Sequence, residues 1–308
     1  MKRIYTVTAI LFALVANAFG QNYWKVAYNK KSEDSYYLVV PPKTDLVRGV
    51  IILLPGFGQT PESIFPETKI HSVAHMNDIL TVAVAGGFKL YADEGVIDKL
   101  NEVIKHIMFR YDLPADMFII GGFSAGGTIA LRYTEYCFEK PGKVPMQPKG
   151  VFTVDSPVDL FDIWDYMQRE LKKNYSDAGV GEAKFISEIM IREIGDPVSN
   201  KKTYEELTPF ETSLETPGNE RNLLATSVRV YHDIDVAWQL ENRRRSLYDS
   251  NALAASEMIN RLLLLGNEKA EFMQAKQPGY RSSGFRHPHS WSIVDEIEFI
   301  EWAESIFD

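Results

Sequence analysis

Strand and helix signals alternate along most of this chain, and no other feature restricts its possible folds as much. The first strand signals cover residues 36–40, 49–54 and 77–85, and the run from Val50 to Leu54 is continuously apolar. Such a run is typical of a strand that is buried on both faces of a parallel sheet. The alternation therefore predicts an α/β protein, with helices on both faces of a mostly parallel sheet.

The rest of the chain continues this pattern. Between Asp93 and Tyr111, apolar residues at spacings of three and four indicate one face of a helix. Further strands are predicted at 117–121, 150–154, 227–231 and 270–275, and further helices at 125–137, 252–265 and 293–307. With 308 residues, 45% of them apolar, the chain can bury a full core without disulfides or a structural metal, and its single cysteine, Cys137, can form no intramolecular bridge.

The alternation stops within residues 156–222. Two amphipathic helices are predicted in this segment, one around 160–171 and the other around 185–194, with polar linkers around them. We therefore interpret residues 156–222 as a helical cap, inserted into a single domain that spans residues 21–308.

The first twenty residues are typical of a secretory signal peptide. Two basic residues, Lys2 and Arg3, precede an apolar run from Ile4 to Val15, and small residues suited to cleavage precede Gln21. The apolar run is well short of the roughly 20 residues that cross a bilayer, so we expect cleavage rather than a membrane anchor. The mature protein is then expected to be secreted or periplasmic, without a membrane span.

The charge balance makes nucleic acids and anionic membrane surfaces poor partners. The net charge of the full chain is −9, and removal of residues 1–20 takes away two basic residues and no acidic residue, which leaves −11. A chain of this charge repels polyanions.

A glycine-rich turn between a predicted strand and a predicted helix carries the strongest chemical signal. It reads Gly121-Gly122-Phe123-Ser124-Ala125-Gly126-Gly127. A nucleophile on such a tight turn has a strained backbone, and the positions two before and two after it must be small to prevent collisions. Dinucleotide-binding and phosphate-binding loops require glycine and lysine spacings that this turn lacks. We therefore interpret Ser124 as a nucleophile rather than as part of an ordinary turn.

A serine nucleophile needs a base, usually a histidine. Of the six histidines, only His287 and His289 follow the last predicted strand, in a loop that leads into the final helix. His289 is the preferred base because it lies nearer that helix and is not followed by a rigid proline, and His287 is the alternative.

The base in turn needs an acid that orients it. The loop after the predicted strand at 227–231 contains Asp233 and Asp235. We choose Asp235 as the acid, with Asp233 as the close alternative. Asp155, at the end of the preceding predicted strand, is a third candidate, although a carboxylate just before Pro157 is more commonly a loop or helix-start residue.

Acyl transfer also needs N–H donors for the oxygen that becomes negatively charged. The glycine-bearing loop that begins after Leu54 leaves a buried strand at the same edge of the sheet as the serine turn. The backbone N–H groups of Phe57 and Ala125 are the candidate donors, and an ordinary turn at the end of the strand is the alternative.

Together these features resemble the α/β-hydrolase fold, over about residues 35–307. The resemblance lies in the order of the strands, the Gly-x-Ser-x-Gly turn, the glycine loop after the early strand, and the late acid and histidine. It implies a hydrolase of esters, amides or related acyl compounds, with a small-molecule or peptide substrate and neither metal nor organic cofactor. Its implied site consists of the nucleophile Ser124, the base His289, the acid Asp235 and the oxyanion donors Phe57 and Ala125.

The chain departs from the family pattern in two places. Pro55 stands where many members have a histidine in a His-Gly motif, which has little consequence because the donors are backbone groups. The loop at 232–235 lacks the common Gly-x-x-Asp form, and this leaves the choice of acid open.

The sequence therefore predicts an exported carboxylic ester hydrolase that forms an acyl-enzyme. A serine peptidase of the same fold and a non-catalytic binding protein on this fold are the alternatives. Four apolar residues of the cap are candidates to line an acyl pocket, although packing is their commoner use: Phe161, Trp164, Phe185 and Met190. A metal site at His71 and His75, spaced four residues apart, is not favoured because no glutamate lies between them.

Overall fold

The structure of the protein is a computed structural model that describes residues 23–29, 35–87 and 89–308. The predicted signal peptide, residues 1–20, lies outside the described residues, so its removal stays a prediction. None of the helices found in the described residues is long and apolar enough to cross a membrane.

One sheet of eight strands runs through the described part of the chain. Its strands are β1 (Trp24–Ala27), β2 (Tyr36–Val40), β3 (Gly49–Leu54), β4 (Ile79–Ala83), β5 (Phe118–Phe123), β6 (Gly150–Val154), β7 (Ser227–His232) and β8 (Ala270–Gln274). Their order in space is β1-β2-β4-β3-β5-β6-β7-β8. β2 is antiparallel to both β1 and β4, whereas the other neighbours are parallel. The prediction of a mostly parallel sheet is confirmed.

Helices cover both faces of this sheet, also as predicted. In the described residues they are α1 (Ile70–Met76), α2 (Glu94–Tyr111), α3 (Ala125–Glu139), α4 (Leu160–Lys173), α5 (Asp177–Glu193), α6 (Lys201–Leu207), α7 (Val236–Arg243), α8 (Ala252–Leu264) and α9 (Glu296–Phe307). Apolar residues of α2, α3 and α8 pack on one face, and those of α1 and α9 pack on the other. Alternate residues of β3 belong to the two apolar clusters, which explains its continuously apolar sequence.

The segment between β6 and β7 contains three helices, α4 to α6, where the sequence predicted two. Their apolar residues form a cluster of their own, which also includes Leu90, Tyr91 and Ala125. Because Ala125 is the first residue of α3, this helical layer covers the turn at which β5 meets α3.

Four short elements were not predicted: β1, α1, α6 and α7. None of them has more than eight residues. The three helices have too few turns to show a clear hydrophobic period, and the four residues of β1 are too few to show alternation.

Candidate active site

Ser124 lies at the sharp turn between β5 and α3. Its backbone dihedral angles are φ 55° and ψ −128°, a strained combination for a residue with a side chain. The turn is fixed by its backbone hydrogen bonds, since Ser124 N–H donates to the Val154 carbonyl at 3.0 Å and the N–H of Gly127 donates to the Ser124 carbonyl at 3.0 Å. The Ser124 hydroxyl hydrogen-bonds to no described residue, which leaves it available to a ligand.

The glycines on either side of Ser124 are required by close backbone contacts. A Cβ atom at Gly122 would lie 2.5 Å from the Leu54 carbonyl oxygen, and one at Gly126 would lie 2.4 Å from the same oxygen. Carbon and oxygen cannot approach so closely without displacing the backbone. The steric reason for both glycines that the sequence indicated therefore applies in this fold.

The loop that follows β3 lies beside the serine turn. β3 and β5 are parallel neighbours, with Leu54 paired to Gly122, so the chain leaves both strands at the same edge. The Gly56 N–H donates to the side-chain oxygen of Gln59 at 2.9 Å, which fixes the loop that presents Phe57. The N–H of Ala125 is the first of α3, and N–H groups in this position have no partner within the helix.

His289, the preferred histidine, contacts a carboxylate. Its Nδ1 lies 2.7 Å from Oδ2 of Asp155, and His232 Nδ1 lies 3.0 Å from the other carboxylate oxygen, Oδ1. Because an ionised carboxylate only accepts hydrogen bonds, both imidazoles carry a proton on Nδ1. In the neutral imidazole, Nε2 of His289 is then an acceptor, as a general base requires.

Asp155 remains ionised although its side chain is only 17% exposed. Burial by itself would raise the pKa of this carboxyl group, but His289 and His232 together lower the pKa well below its ordinary value of 3.8. The Asn251 side-chain amide donates to the backbone carbonyl of Asp155 at 2.9 Å, which helps hold the residue at its positive φ of 43°. A fixed negative charge beside an imidazole can orient it and stabilise its protonated form.

The choice of Asp235 as the acid is corrected by these contacts. Asp235 Oδ1 accepts a hydrogen bond from the backbone N–H of Trp238 at 2.9 Å, which caps α7, and Oδ2 accepts one from Arg286 at 2.8 Å. Asp235 hydrogen-bonds to no histidine in the described residues, and the carboxylate that contacts His289 belongs to Asp155. Asp235 is the N-cap residue of α7, a position in which aspartate is common.

The two alternative residues are also occupied elsewhere. Asp233 Oδ2 accepts a hydrogen bond from the Gly279 N–H at 2.9 Å and forms an ion pair with Arg286 at 2.9 Å. The Nε2 atom of His287 lies 3.0 Å from the guanidinium of Arg243, and no carboxylate among the described residues hydrogen-bonds to its ring. Neither residue has the partner that a base or its orienting acid needs.

His232, which no prediction included, completes this arrangement. Ser124, Asp155 and His232 lie in one row across β5, β6 and β7. The preceding residues pair in register across these strands: Phe123 with Val154, and Val154 with Tyr231. A polar residue at the end of each of three adjacent strands is a signal that the sequence contained, but it becomes readable only once the strand order is known.

One cavity of about 610 Å³ connects these groups. Ser124, His289, Phe57 and Ala125 all line it, and its volume lies in the range of about 300–1,000 Å³ that is usual for small-molecule sites. Of the four cap residues considered for an acyl pocket, Phe185 lines this cavity. The other three, Phe161, Trp164 and Met190, belong to the apolar cluster of the cap helices.

The histidines at the i, i+4 spacing lie on α1 and do not line the cavity. The His71 ring packs edge-on against Phe65, with ring centres 4.8 Å apart, and burial lowers its pKa to about 4. His75 Nδ1 lies 2.8 Å from the backbone carbonyl oxygen of Pro41. Within the described residues, no group of three or more histidine, cysteine or acidic side chains is placed to hold a metal ion.

Comparison with protein-family models gave no match, and comparison with curated protein sequences gave none either. Many solved structures are similar. Carboxyl esterase 2 from the fungus Tuber melanosporum is 13% identical, with a TM-score of 0.58 over 96% of this chain and 87% of that one. MPT51 (FbpC1) of Mycobacterium tuberculosis and FphF, a fluorophosphonate-binding serine hydrolase of Staphylococcus aureus, are each 13% identical, with TM-scores of 0.56 and 0.54 over 93% of this chain and 98% of theirs. At these identities the likeness establishes the fold alone.

Proposed function

We propose that this chain, which has the α/β-hydrolase fold, is a serine hydrolase that cleaves carboxylic esters. The observation that carries the proposal is that Ser124, on its strained turn, and His289, whose ring is held by a carboxylate, line the same cavity. Several solved structures of the same fold are named as esterases, which supports a hydrolase at the level of fold.

In the proposed reaction, Ser124 Oγ attacks the carbonyl carbon of the ester while His289 Nε2 takes the hydroxyl proton. The tetrahedral intermediate then releases the alcohol, which receives that proton from His289, and an acyl-serine remains. Water attacks the acyl-serine by the same route, so that the acid is released and the hydroxyl group of Ser124 is restored. Asp155 stays ionised throughout and stabilises the histidine in its protonated form.

Two backbone N–H groups are proposed to stabilise the negative oxygen of the intermediate. Phe57 lies on the loop after β3, and Ala125 is the first residue of the helix after the adjacent strand β5; both residues line the cavity beside Ser124. Donors fixed in this way need no rearrangement when charge develops on the oxygen, which is the basis of oxyanion stabilisation.

A fluorophosphonate probe tests the class of enzyme. We expect the probe to label the wild-type protein and not Ser124→Ala, because labelling requires an activated serine. Circular dichroism of both proteins controls for folding. A folded wild type that is not labelled would contradict the proposal and favour a non-catalytic binding protein.

Substrate assays test the preference for esters. We expect measurable hydrolysis of 4-nitrophenyl butyrate and much slower hydrolysis of dipeptidyl 4-nitroanilides, because an ester asks less of the leaving group than an amide. Turnover of the anilides at an equal or higher kcat/KM would instead identify a serine peptidase.

We also propose that the protein is exported and loses residues 1–20. The basic start, the short apolar run and the small residues before Gln21 support this. N-terminal sequencing of the protein from secreted and periplasmic fractions should begin at Gln21. Recovery of the intact chain from the cytoplasm alone would contradict export.

A further inference from the structure

The cavity beside Ser124 has an uneven balance of charge. Five carboxylates line it, and each contacts a basic side chain or a histidine: Asp155, Glu182, Asp233, Asp235 and Asp249. Three arginines also line it. Arg245 pairs with Glu170 and Glu182, each at 3.3 Å, whereas Arg243 and Arg281 form an ion pair with no described residue. Two guanidinium charges are therefore left without a carboxylate partner.

Arg281 is fixed at the edge of the cavity by its backbone. Its N–H donates to the Phe285 carbonyl at 2.9 Å, and its carbonyl accepts from the Gly284 N–H at 2.8 Å. Its guanidinium carbon lies 4.9 Å from the centre of the Phe123 ring. The nitrogen atoms of this guanidinium group hydrogen-bond to no described residue. A partly buried guanidinium loses hydration without gaining acceptors, unless a ligand supplies them.

Arg243, the last residue of α7, lies on the same wall of the cavity. Its guanidinium lies 3.0 Å from His287 Nε2 and 5.8 Å from the ring centre of Trp238. Burial, together with His289, Arg281 and Arg243, lowers the pKa of His287 to about 4. The ring centre of His287 lies 6.3 Å from that of His289, so one side chain separates Arg243 from His289. Phe123 likewise separates Arg281 from His289, and both arginines therefore line the cavity near this histidine.

This arginine wall, formed by Arg243 and Arg281, is on the side of the cavity where an alcohol would leave. His289 gives the proton to the leaving alcohol, so the alcohol must leave on the side of the cavity where His289 lies. The ring of Phe123, over which Arg281 packs, lies 4.4 Å from the ring of His289. By contrast, Phe57, on the loop after β3, packs against the apolar cap, with Phe57 and Phe185 ring centres 6.0 Å apart.

We propose that the ester substrate carries an anionic group, such as a carboxylate, on its alcohol portion, and that Arg281 and Arg243 bind it. This inference rests on the proposed ester hydrolase activity. Guanidinium and carboxylate groups form charge-assisted hydrogen bonds that are about twice as strong as neutral ones. The acyl portion then lies against the apolar residues of the cap.

Three matched esters test this specificity. 3-Carboxyphenyl butyrate carries the anion on the alcohol side, 3-carbamoylphenyl butyrate is its neutral counterpart, and the 3-carbamoylphenyl monoester of succinic acid carries the anion on the acyl side. For the wild type, the kcat/KM ratio of the first ester to the second, divided by the same ratio for hydroxide-catalysed hydrolysis, is expected to be at least about tenfold. The succinate monoester should show no such preference over the neutral butyrate.

Variants of the arginines show which group carries the preference. Arg281→Gln should lower the corrected ratio by about tenfold, Arg243→Gln by less, and Arg281→Lys should retain part of it, because the charge remains. Arg244→Gln is the matched control, since Arg244 is exposed, lies outside the cavity and donates to the Leu240 carbonyl at 3.2 Å. Its ratio should equal that of the wild type.

Three results would overturn the inference: no preference for the alcohol-side anion, a preference for the acyl-side anion, or an unchanged ratio in Arg281→Gln. The last would be expected if Arg281 serves only to balance Glu67, whose charge also acts on it. The fluorophosphonate probe separates these failures from failure of the proposed function. A protein that is labelled at Ser124 but shows no preference remains a serine hydrolase, whereas an unlabelled folded protein contradicts both proposals.

Discussion

Two buried carboxyl groups of this protein have opposite surroundings. Asp155 accepts hydrogen bonds from His289 at 2.7 Å and from His232 at 3.0 Å. Glu135, on α3, is fully buried, and neither of its carboxyl oxygens hydrogen-bonds to a described residue. Nη1 of Arg132 forms an ion pair with Glu135 Oε2 at 3.6 Å.

The pKa values of these two groups move in opposite directions. Burial raises the pKa of Glu135 well above its ordinary value of 4.5, and Glu220 and Glu139 raise it further against the opposing effect of Arg132. The pKa of Asp155 is lowered despite its burial. The largest effect that lowers the pKa of Asp155 is the charge of His289, and the hydrogen bonds from His232 and His289 add to it. The difference indicates that a charged partner within hydrogen-bonding contact, which Glu135 lacks, decides whether a buried carboxylate stays charged. Only the charged one can orient a catalytic imidazole.

Replacement of Asp155 by asparagine tests whether the ionised carboxylate of this comparison supports catalysis, and it has the largest expected effect on kcat/KM. Asparagine keeps the shape of the side chain and tolerates the positive φ of 43°, but its amide allows the wrong tautomer of His289. We expect kcat/KM on 4-nitrophenyl butyrate to fall by about 10³–10⁴-fold, with an unchanged circular dichroism spectrum. A loss of less than tenfold in a folded variant would show that Asp155 does not support the base.

Replacement of His232 tests whether its hydrogen bond helps to keep Asp155 ionised and in place. His232→Leu removes the donor, and we expect kcat to fall by about 10- to 100-fold with little change in KM. His232→Asn restores an N–H donor near the position of Nδ1 and should recover most of the lost rate. Equal rates for both variants at equal melting temperatures would mean that His232 serves only for packing against Phe272, whose ring centre lies 5.3 Å away.

Local sequence patterns could not predict which aspartate contacts His289. Asp155, Asp233 and Asp235 all follow strands, and the choice among them depends on which strand lies next to β5. The order and register of strands arise from long-range pairing, for which a sequence has no local signal. The position of Asp155 before Pro157 favours a helix-start carboxylate over an acid of the site, yet it is Asp159 that caps α4.

The fold and the serine turn were more accessible to sequence because both depend on local patterns. The continuous apolar run of β3 and the spacings of α2 follow from burial on two faces and on one face, respectively. Gly122 and Gly126 follow from steric contacts within a single turn. The arginine wall depends on pairs of residues far apart in the chain, so only the structure could indicate which arginines lack a partner.

Replacement of Asp235 extends the comparison to a carboxylate that is already paired with an arginine. Asp235→Asn removes its charge but can still cap α7, so we expect kcat/KM on 4-nitrophenyl butyrate to change by no more than about threefold. Weaker pairing with Arg286 should lower the melting temperature slightly. If kcat/KM falls as far as in Asp155→Asn, the assignment of the acid to Asp155 is wrong.

Replacement of Glu135 tests the buried carboxyl group that has no hydrogen bond, and it should change stability rather than the rate of hydrolysis. Because the pKa of Glu135 is raised on folding, its contribution to stability is present below pH 4.5 and is lost as the pH rises towards its folded value.

Glu135→Gln removes this dependence. The free energy of unfolding in urea of Glu135→Gln minus that of the wild type should therefore increase with pH, by at most about 1.4 kcal/mol per pH unit. Glu139→Gln is the matched control on the same helix. Burial raises the pKa of Glu139, but Lys140 and Arg132 together lower it below 4.5, so its difference should run in the opposite direction and appear only below about pH 4.5. A difference for Glu135→Gln that stays constant between pH 4 and 8 would show that Glu135 ionises freely in the folded protein, and that burial without hydrogen bonds does not hold it neutral.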